Sequence, residues 1–248
     1  MHAYRAGNVT HNSAMGKNTI KAVVLDLDDT LWPIAPVIDR AERALAAWIR
    51  QHAPAVAAQW DVNTLKLLRA SLVAANPALK NDVMGLRRGT IAAAFADAGA
   101  SAAQAGEAFD YFHAQRQKVE FYPDALPALE RLAARYRLAV ISNGFADVHA
   151  IGIGDRFEAV VSAHEVGAAK PDPRIFDACI ERMGLEPEAM IYVGDDPAND
   201  VIAPRASGLH AAWINRGGKS WPESLAISQP SAQVFADLGA FADWMLAA

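Results

Sequence analysis

IKAVVLDLDDT, residues 20–30, is the stretch on which the fold turns. Its first part, IKAVVLDL, is a short β-branched run, the pattern of a strand buried on both faces of a parallel sheet. The polar cluster that follows, Asp26, Asp28, Asp29 and Thr30, then falls in the loop at that strand's carboxyl end. In open α/β sheets this edge is where ligands bind.

Downstream the texture changes. From Pro36 to about Lys118 the chain is Ala-rich with a helical period and carries almost no strand signal. The spacing predicts helices over 36–52, 58–75, 79–98 and 101–119, divided by Pro54, Pro77 and Gly99. Four helices with short loops suggest a small bundle. After Pro123, helix and strand alternate: ALPALERLAARY then LAVIS, RIFDACIERMG then AMIYVG, and a last helix leading to HAAWIN. Such alternation predicts right-handed crossovers and an α/β class, doubly wound parallel sheet. The first strand belongs to the same sheet. The expected organisation is therefore a disordered tail over 1–18, an α/β core formed by 19–34 and 120–248, and an inserted helical cap over 35–119.

Composition narrows the function. Hydrophobic residues make up 52% and charged ones 21%, an ordinary globular balance, so packed elements are expected throughout. A net charge of −5 gives no footprint for nucleic acid or an anionic membrane, and any attraction for an anionic substrate must be local. Cys179 stands alone, which rules out an intrachain disulfide and makes a reducing cytoplasm the expected setting. No run is long and apolar enough for a secretory signal or a membrane span, and the chain is expected as a monomer or homodimer.

The residues just after each strand belong together. Asp26, Asp28, Asp29 and Thr30 follow the first strand; Ser142, Asn143 and Gly144 follow LAVIS; Asp195, Asp196 and Asp200 follow AMIYVG; Lys170 lies in the loop after EAVVSA. Carboxylates gathered at one point repel unless a cation neutralises them, and hard oxygen ligands suit Mg²⁺. A carboxylate beside such an ion can attack phosphorus, and a second can move protons to and from the leaving oxygen and water. Lysine, hydroxyl, amide and backbone N–H groups can hold the phosphoryl oxygens.

Each feature has a plainer reading. An isolated DxD is often a solvated turn, SNG an ordinary turn, and Lys170 a surface lysine. Asp200 could be the N-cap of the following helix, whose start Pro204 could shorten or kink. Arg87 or Arg88 could reach down to a substrate, although a solvated helix face accounts for at least one of them. Trp32 could stack on a substrate ring, with core packing the default. His113, His149, His164 and His210 lack metal-ligand spacing, and Cys179 reads as buried and inert.

Taken together, DLDDT at 26–30, SNG at 142–144, KPDP at 170–173 and GDDPAND at 194–200 resemble the four ordered motifs of the haloacid dehalogenase superfamily. The resemblance spans residues 20–215. It implies Asp26 as nucleophile and Asp28 as general acid/base, with Mg²⁺ held by the Asp26 carboxylate, the Asp28 backbone carbonyl and Asp195. It implies phosphoryl contacts from Ser142, Asn143 and Lys170, support from Thr30, Asp196 and Asp200, and a helical C1 cap over 35–119. The superfamily's dehalogenases lack an acid at the position of Asp28, so the resemblance favours a Mg²⁺-dependent phosphatase forming an aspartyl phosphate on small phosphorylated metabolites. Dehalogenase-like or phosphomutase activity is the alternative within enzymes. A non-catalytic binding protein is the alternative outside them, and the losses at the four motifs that would mark it are absent. DLDDTLW, GLRRGTI and GDDPANDV…GLHAAWI are further similar to a bacterial phosphatase group acting on flavin mononucleotide and phosphorylated ribitylaminouracil.

Overall fold

Strand β1 spans Ala22–Leu25, shorter than the apolar run that announces it, and all four residues are fully enclosed. The structure, a computed structural model, describes residues 19–77, 79, 82–228 and 232–247, so the tail expected over 1–18 lies outside the described residues. Five helices follow β1: α1 (Ile34–His52), α2 (Pro54–Ala57), α3 (Val62–Ala75), α4 (Val83–Asp97) and α5 (Ala102–Arg116). The chain then runs through α6 (Ala125–Ala133), β2 (Arg137–Ser142), α7 (Val148–Ile151), β3 (Ala159–Ser162), α8 (Ala163–Val166), α9 (Pro173–Met183) and β4 (Met190–Gly194). It closes with α10 (Ala203–Ala206), β5 (His210–Ile214), β6 (Gln233–Phe235) and α11 (Leu238–Leu246).

The sheet order is β3-β2-β1-β4-β5-β6, and every pair is parallel. This is the doubly wound α/β arrangement that the alternating pattern predicts. Successive side chains of β1 point to opposite faces. Val23 and Leu25 enter an apolar cluster with Ala128, Leu129 and Leu132 of α6 and Phe241 of α11. Ala22 and Val24 enter the opposite one, with Ile175, Phe176 and Cys179 of α9. Among the described strands, only β6 has no forewarning in the sequence: at three residues, two of them exposed, it offers no apolar run.

Local chemistry sets the helix boundaries between β1 and α6. Pro54 opens the one-turn α2, so the helix expected from 58 begins at Val62, where Asp61 accepts from the Thr64 N–H at 2.8 Å. Asp82 caps α4 by accepting from the Gly85 N–H at 2.8 Å, and Ser101 caps α5 by accepting from the Gln104 N–H at 3.2 Å. These helices share an apolar cluster built on Leu45, Ile49, Ile91, Phe95, Phe109 and Phe112, and Phe145 from the loop after β2 joins it. Among the described residues, no helix is long and apolar enough to cross a membrane.

A buried carboxylate organises the helical layer. Glu42 of α1 accepts from Arg87 at 2.8 Å and from Arg69 at 3.0 Å, and Lys66 lies 3.1 Å away. Arg87 also covers the ring of Phe112 at 4.3 Å, and the exposed Arg88 covers Phe109 at 4.2 Å. Arg87 is thus tied down within the helices. Burial alone would raise the Glu42 carboxyl, but the hydrogen bond and charge of Arg87, aided by Arg69 and Lys66, hold it below the usual carboxylate range. A depressed carboxyl contributes stability that is present at neutral pH and lost as pH falls through its folded value. Glu42→Ala should therefore cost about 3 kcal/mol at pH 7, because it strands Arg87 without a counter-charge. The penalty, read by denaturant unfolding, should shrink steadily as the pH is taken down into the acid range.

Candidate active site

Asp26 is fixed by the sheet itself, since its N–H donates to the Val193 carbonyl at 2.9 Å and extends the β1–β4 ladder by one bond. The chain then turns sharply, with the Leu31 N–H donating to the Leu27 carbonyl at 2.8 Å. Asp29 absorbs the turn with a φ of +62°, a left-handed conformation that Asp tolerates better than most residues. Its Oδ1 accepts from the Ile34 N–H at 2.9 Å, serving the start of α1, where Pro33 provides no side-chain cap. The loop is pinned from outside by Arg216, which donates to the Thr30 carbonyl at 2.9 Å and to both oxygens of Asp124 at 2.8 and 2.9 Å.

Lys170 is the hub. Its ammonium donates to Asp26 Oδ1, Asp200 Oδ1 and the Tyr192 hydroxyl, each at 2.7 Å, using all three of its N–H bonds. Tyr192 in turn donates to the Ile141 carbonyl at 3.1 Å. Asn143 secures the lysine's backbone from the loop after β2: its Oδ1 accepts from the Lys170 N–H at 2.7 Å, and its Nδ2 donates to the Lys170 carbonyl at 2.9 Å. The Asn143 amide therefore fastens two loops together, where the family resemblance implies a phosphoryl contact. Ser142, also buried, accepts from the Gly144 N–H at 3.0 Å. The second oxygen of Asp26 takes a longer bond, 3.2 Å, from Thr30 Oγ1.

The second acidic cluster, Asp195, Asp196 and Asp200, is held by unusual winding. Pro197–Ile202 forms a π-helical stretch, continued by α10, which carries Pro204 at its start. Asp196 is the N-cap, accepting from the Asn199 N–H at 2.8 Å, so Asp200 does not fill that role. Asp200 turns inward, and its Oδ2 accepts from the Asp196 N–H at 3.0 Å. A Cβ on Gly194 would lie 2.4 Å from the Asp200 carboxyl, so glycine is required for this close approach.

One carboxylate oxygen from each of Asp26, Asp195 and Asp200 lies within 4.8 Å of the others. Two of these carboxylates, Asp26 and Asp200, are paired with the ammonium of Lys170. Burial first, then the charge of Asp200, raises the Asp26 carboxyl against the opposing pull of Lys170. Burial, reinforced by Asp200 and Asp29, pushes Asp195 up to about 7. Burial is the largest cause in both, and the oxygen donors of the cluster fit a hard divalent cation. The Asp28 carboxylate lies apart from this cluster. It accepts from Trp32 Nε1 at 2.8 Å and from Arg116 Nη2 at 2.6 and 2.7 Å, and a Cβ on Gly144 would come within 2.6 Å of its Oδ2.

Trp32 is fully enclosed, in edge contact with Phe121 at 5.4 Å, which settles the choice between packing and substrate stacking in favour of packing. Sequence reasoning missed Arg116, Tyr192 and Arg216. Arg116 reads as an ordinary basic residue in a helix's last turn and Tyr192 as a core aromatic in its strand. Arg216, just past β5, obeys the same strand-end rule that finds the acidic clusters.

The pattern of haloacid dehalogenase-like hydrolases matches residues 20–208. The 5-amino-6-(5-phospho-D-ribitylamino)uracil phosphatase YigB of Escherichia coli (strain K12) is 33% identical, over 79% of this chain and 83% of that protein. A glyceraldehyde 3-phosphate phosphatase of Methanopyrus kandleri is 29% identical, over 80% of this chain and 85% of that protein. The crystal structure of a 2-haloacid dehalogenase from Pseudomonas syringae pv. Tomato DC3000 superposes with a TM-score of 0.80 at 36% identity, covering 91% of this chain and 99% of that one. A fold, a set of ordered strand-end motifs and relatives alike along most of their lengths agree: the chain belongs to the haloacid dehalogenase-like hydrolase family.

Proposed function

We propose that this protein is a Mg²⁺-dependent phosphatase that hydrolyses small phosphorylated metabolites through a phosphoryl group carried on Asp26. The observation that carries the reading is the pairing of Asp26 with Lys170 inside a cluster of three carboxylates, with a further acid, Asp28, nearby but outside the cluster. Lys170 holds Oδ1 of Asp26, which leaves Oδ2, in its long contact with Thr30, as the freer oxygen for attack. In the first step that oxygen bonds to phosphorus as the bond to the leaving oxygen breaks, and Asp28 gives the departing oxygen its proton. In the second, water attacks the phosphorus, Asp28 takes the water's proton, and the bond to Asp26 breaks to release inorganic phosphate.

Ser142 and Lys170 would hold phosphoryl oxygens, the lysine by exchanging one of its three present acceptors for the phosphoryl group, with Asn143 setting the place of Lys170. The Asp26 carboxylate, the Asp28 backbone carbonyl and Asp195 would hold Mg²⁺, with Asp196 and Asp200 as support. The ion would supply the positive charge that the acids lack and would draw charge from the transferring group. Residues 35–119 act as a helical cap over the crevice, excluding water and selecting the leaving group. The two preferred substrates are phosphorylated ribitylaminouracil and flavin mononucleotide, which share a phosphorylated ribityl chain; the relative named for the first supports this choice. The dehalogenase reading has a structural neighbour at 36% identity, but halide departs without a proton and would leave Asp28 without a task.

Asp26→Asn should retain the fold, read by circular dichroism, and lose phosphate release from p-nitrophenyl phosphate and flavin mononucleotide to background; substantial turnover would remove the nucleophile. EDTA should stop phosphate release, and added Mg²⁺ should restore it. Asp195→Asn should raise the Mg²⁺ concentration for half-maximal rate by about tenfold or more. Halide released from 2-chloropropionate faster than phosphate from any phosphomonoester would favour the dehalogenase instead.

A further inference from the structure

Asp28 is gripped from both ends of the helical insertion. Trp32 lies on the strap that leads from the nucleophile loop into α1, and Arg116 is the last residue of α5, from which the chain returns to the core. The indole N–H donates to Oδ1 at 2.8 Å, and a single guanidinium nitrogen reaches both oxygens at 2.6 and 2.7 Å. Neither donor has access to solvent: Trp32 is fully enclosed, and Arg116 is 1% exposed. The two connections between core and helices thus meet on one carboxylate.

Arg116 is costly where it stands. Its Nε and Nη1 are buried without a hydrogen-bond partner among the described residues, and its guanidinium lies 5.7 Å from the centre of the Phe145 ring. Burying a guanidinium with donors unmatched works against stability, and an apolar side chain of similar volume would pack there at lower cost. Its strong bonds all go to Asp28. The pair is also pressed against the loop after β2, because a Cβ on Gly144 would lie 2.6 Å from Asp28 Oδ2 and 3.5 Å from Arg116 Nη2. Trp32 belongs to the loop that carries Asp28 itself, whereas Arg116 ends α5. Asp28 therefore has one partner from its own loop and one from the helices.

Resting on the phosphatase reading above, we propose that Arg116, with Trp32, is a positioning residue for Asp28, aiming its carboxyl at the leaving oxygen only while the helical insertion covers the crevice. A group that acts through the acid matters where the leaving oxygen needs a proton and little where it does not. kcat/KM, which reports steps up to departure of the leaving group, should be compared for an alkyl phosphate and p-nitrophenyl phosphate. Arg116→Ala should lower the first by about 10²-fold and the second by less than about fivefold. Added to Asp28→Asn, it should cause no further loss. Trp32→Phe, which keeps the ring and removes the N–H, should repeat the leaving-group dependence in weaker form and serves if Arg116→Ala does not fold.

Equal losses on both substrates would make Arg116 a phosphoryl or structural residue and overturn the proposal, as would no loss on either or additive losses in the double variant. A defective Asp28→Asn beside variants blind to the leaving group would bring down this proposal alone. Full activity of Asp28→Asn on the alkyl phosphate would bring down the acid/base assignment and the proposal with it.

Discussion

One buried ammonium holds the crevice together. Lys170 reaches three acceptors from two neighbouring strands, Asp26 after β1, Asp200 after β4 and the Tyr192 hydroxyl within β4, while its own backbone is tied to the loop after β2. A lysine charge in such a place is tolerable only because every donor is matched, and each acceptor is fixed in turn by a strand or a backbone bond. The parallel sheet supplies the necessary rigidity. Residues at the carboxyl ends of adjacent strands are set by ladder hydrogen bonds, so distant segments are brought to within ångströms of one another without flexible intermediaries.

Charge explains the rest of the arrangement. The lysine is paired with two carboxylates of a cluster of three, so it balances only part of the acidic charge gathered there. Asp28 escapes that excess because its carboxylate has its own cationic partner, Arg116, and an indole donor. Two acids two positions apart in one loop therefore sit in different electrical surroundings, one facing a buried ammonium within an acidic cluster and the other a guanidinium and an indole. Asp29, between these acids and α1, serves the backbone instead; its left-handed backbone and its bond to the Ile34 N–H set the direction in which the helical layer departs.

Much of this was legible in the sequence, for identifiable reasons. Buried parallel strands announce themselves as unbroken apolar runs, so VVL, LAVIS and MIYVG could be placed, and the strand-end rule then gathered the acids, the SNG loop and the lysine into one crevice. The short edge strand β6 escaped because two of its three side chains face solvent. Helix starts drifted by a few residues where caps, Asp61 and Asp82, overrode the apolar period. The partners of Asp28 and Lys170 were illegible for another reason: Arg116 and Tyr192 meet them only through the tertiary fold, across 88 and 22 positions of sequence. Nothing local separates them from a surface arginine or a core tyrosine.

Phe145 carries a mechanical consequence. It belongs to the loop after β2 yet is buried among Phe109, Phe112 and the other apolar side chains of the helices. Separating that loop from the helices would bring this ring into water, at about 2 kcal/mol. The ring thus works as a rivet, binding the edge of the sheet to the helices through apolar contact rather than through the chain connections.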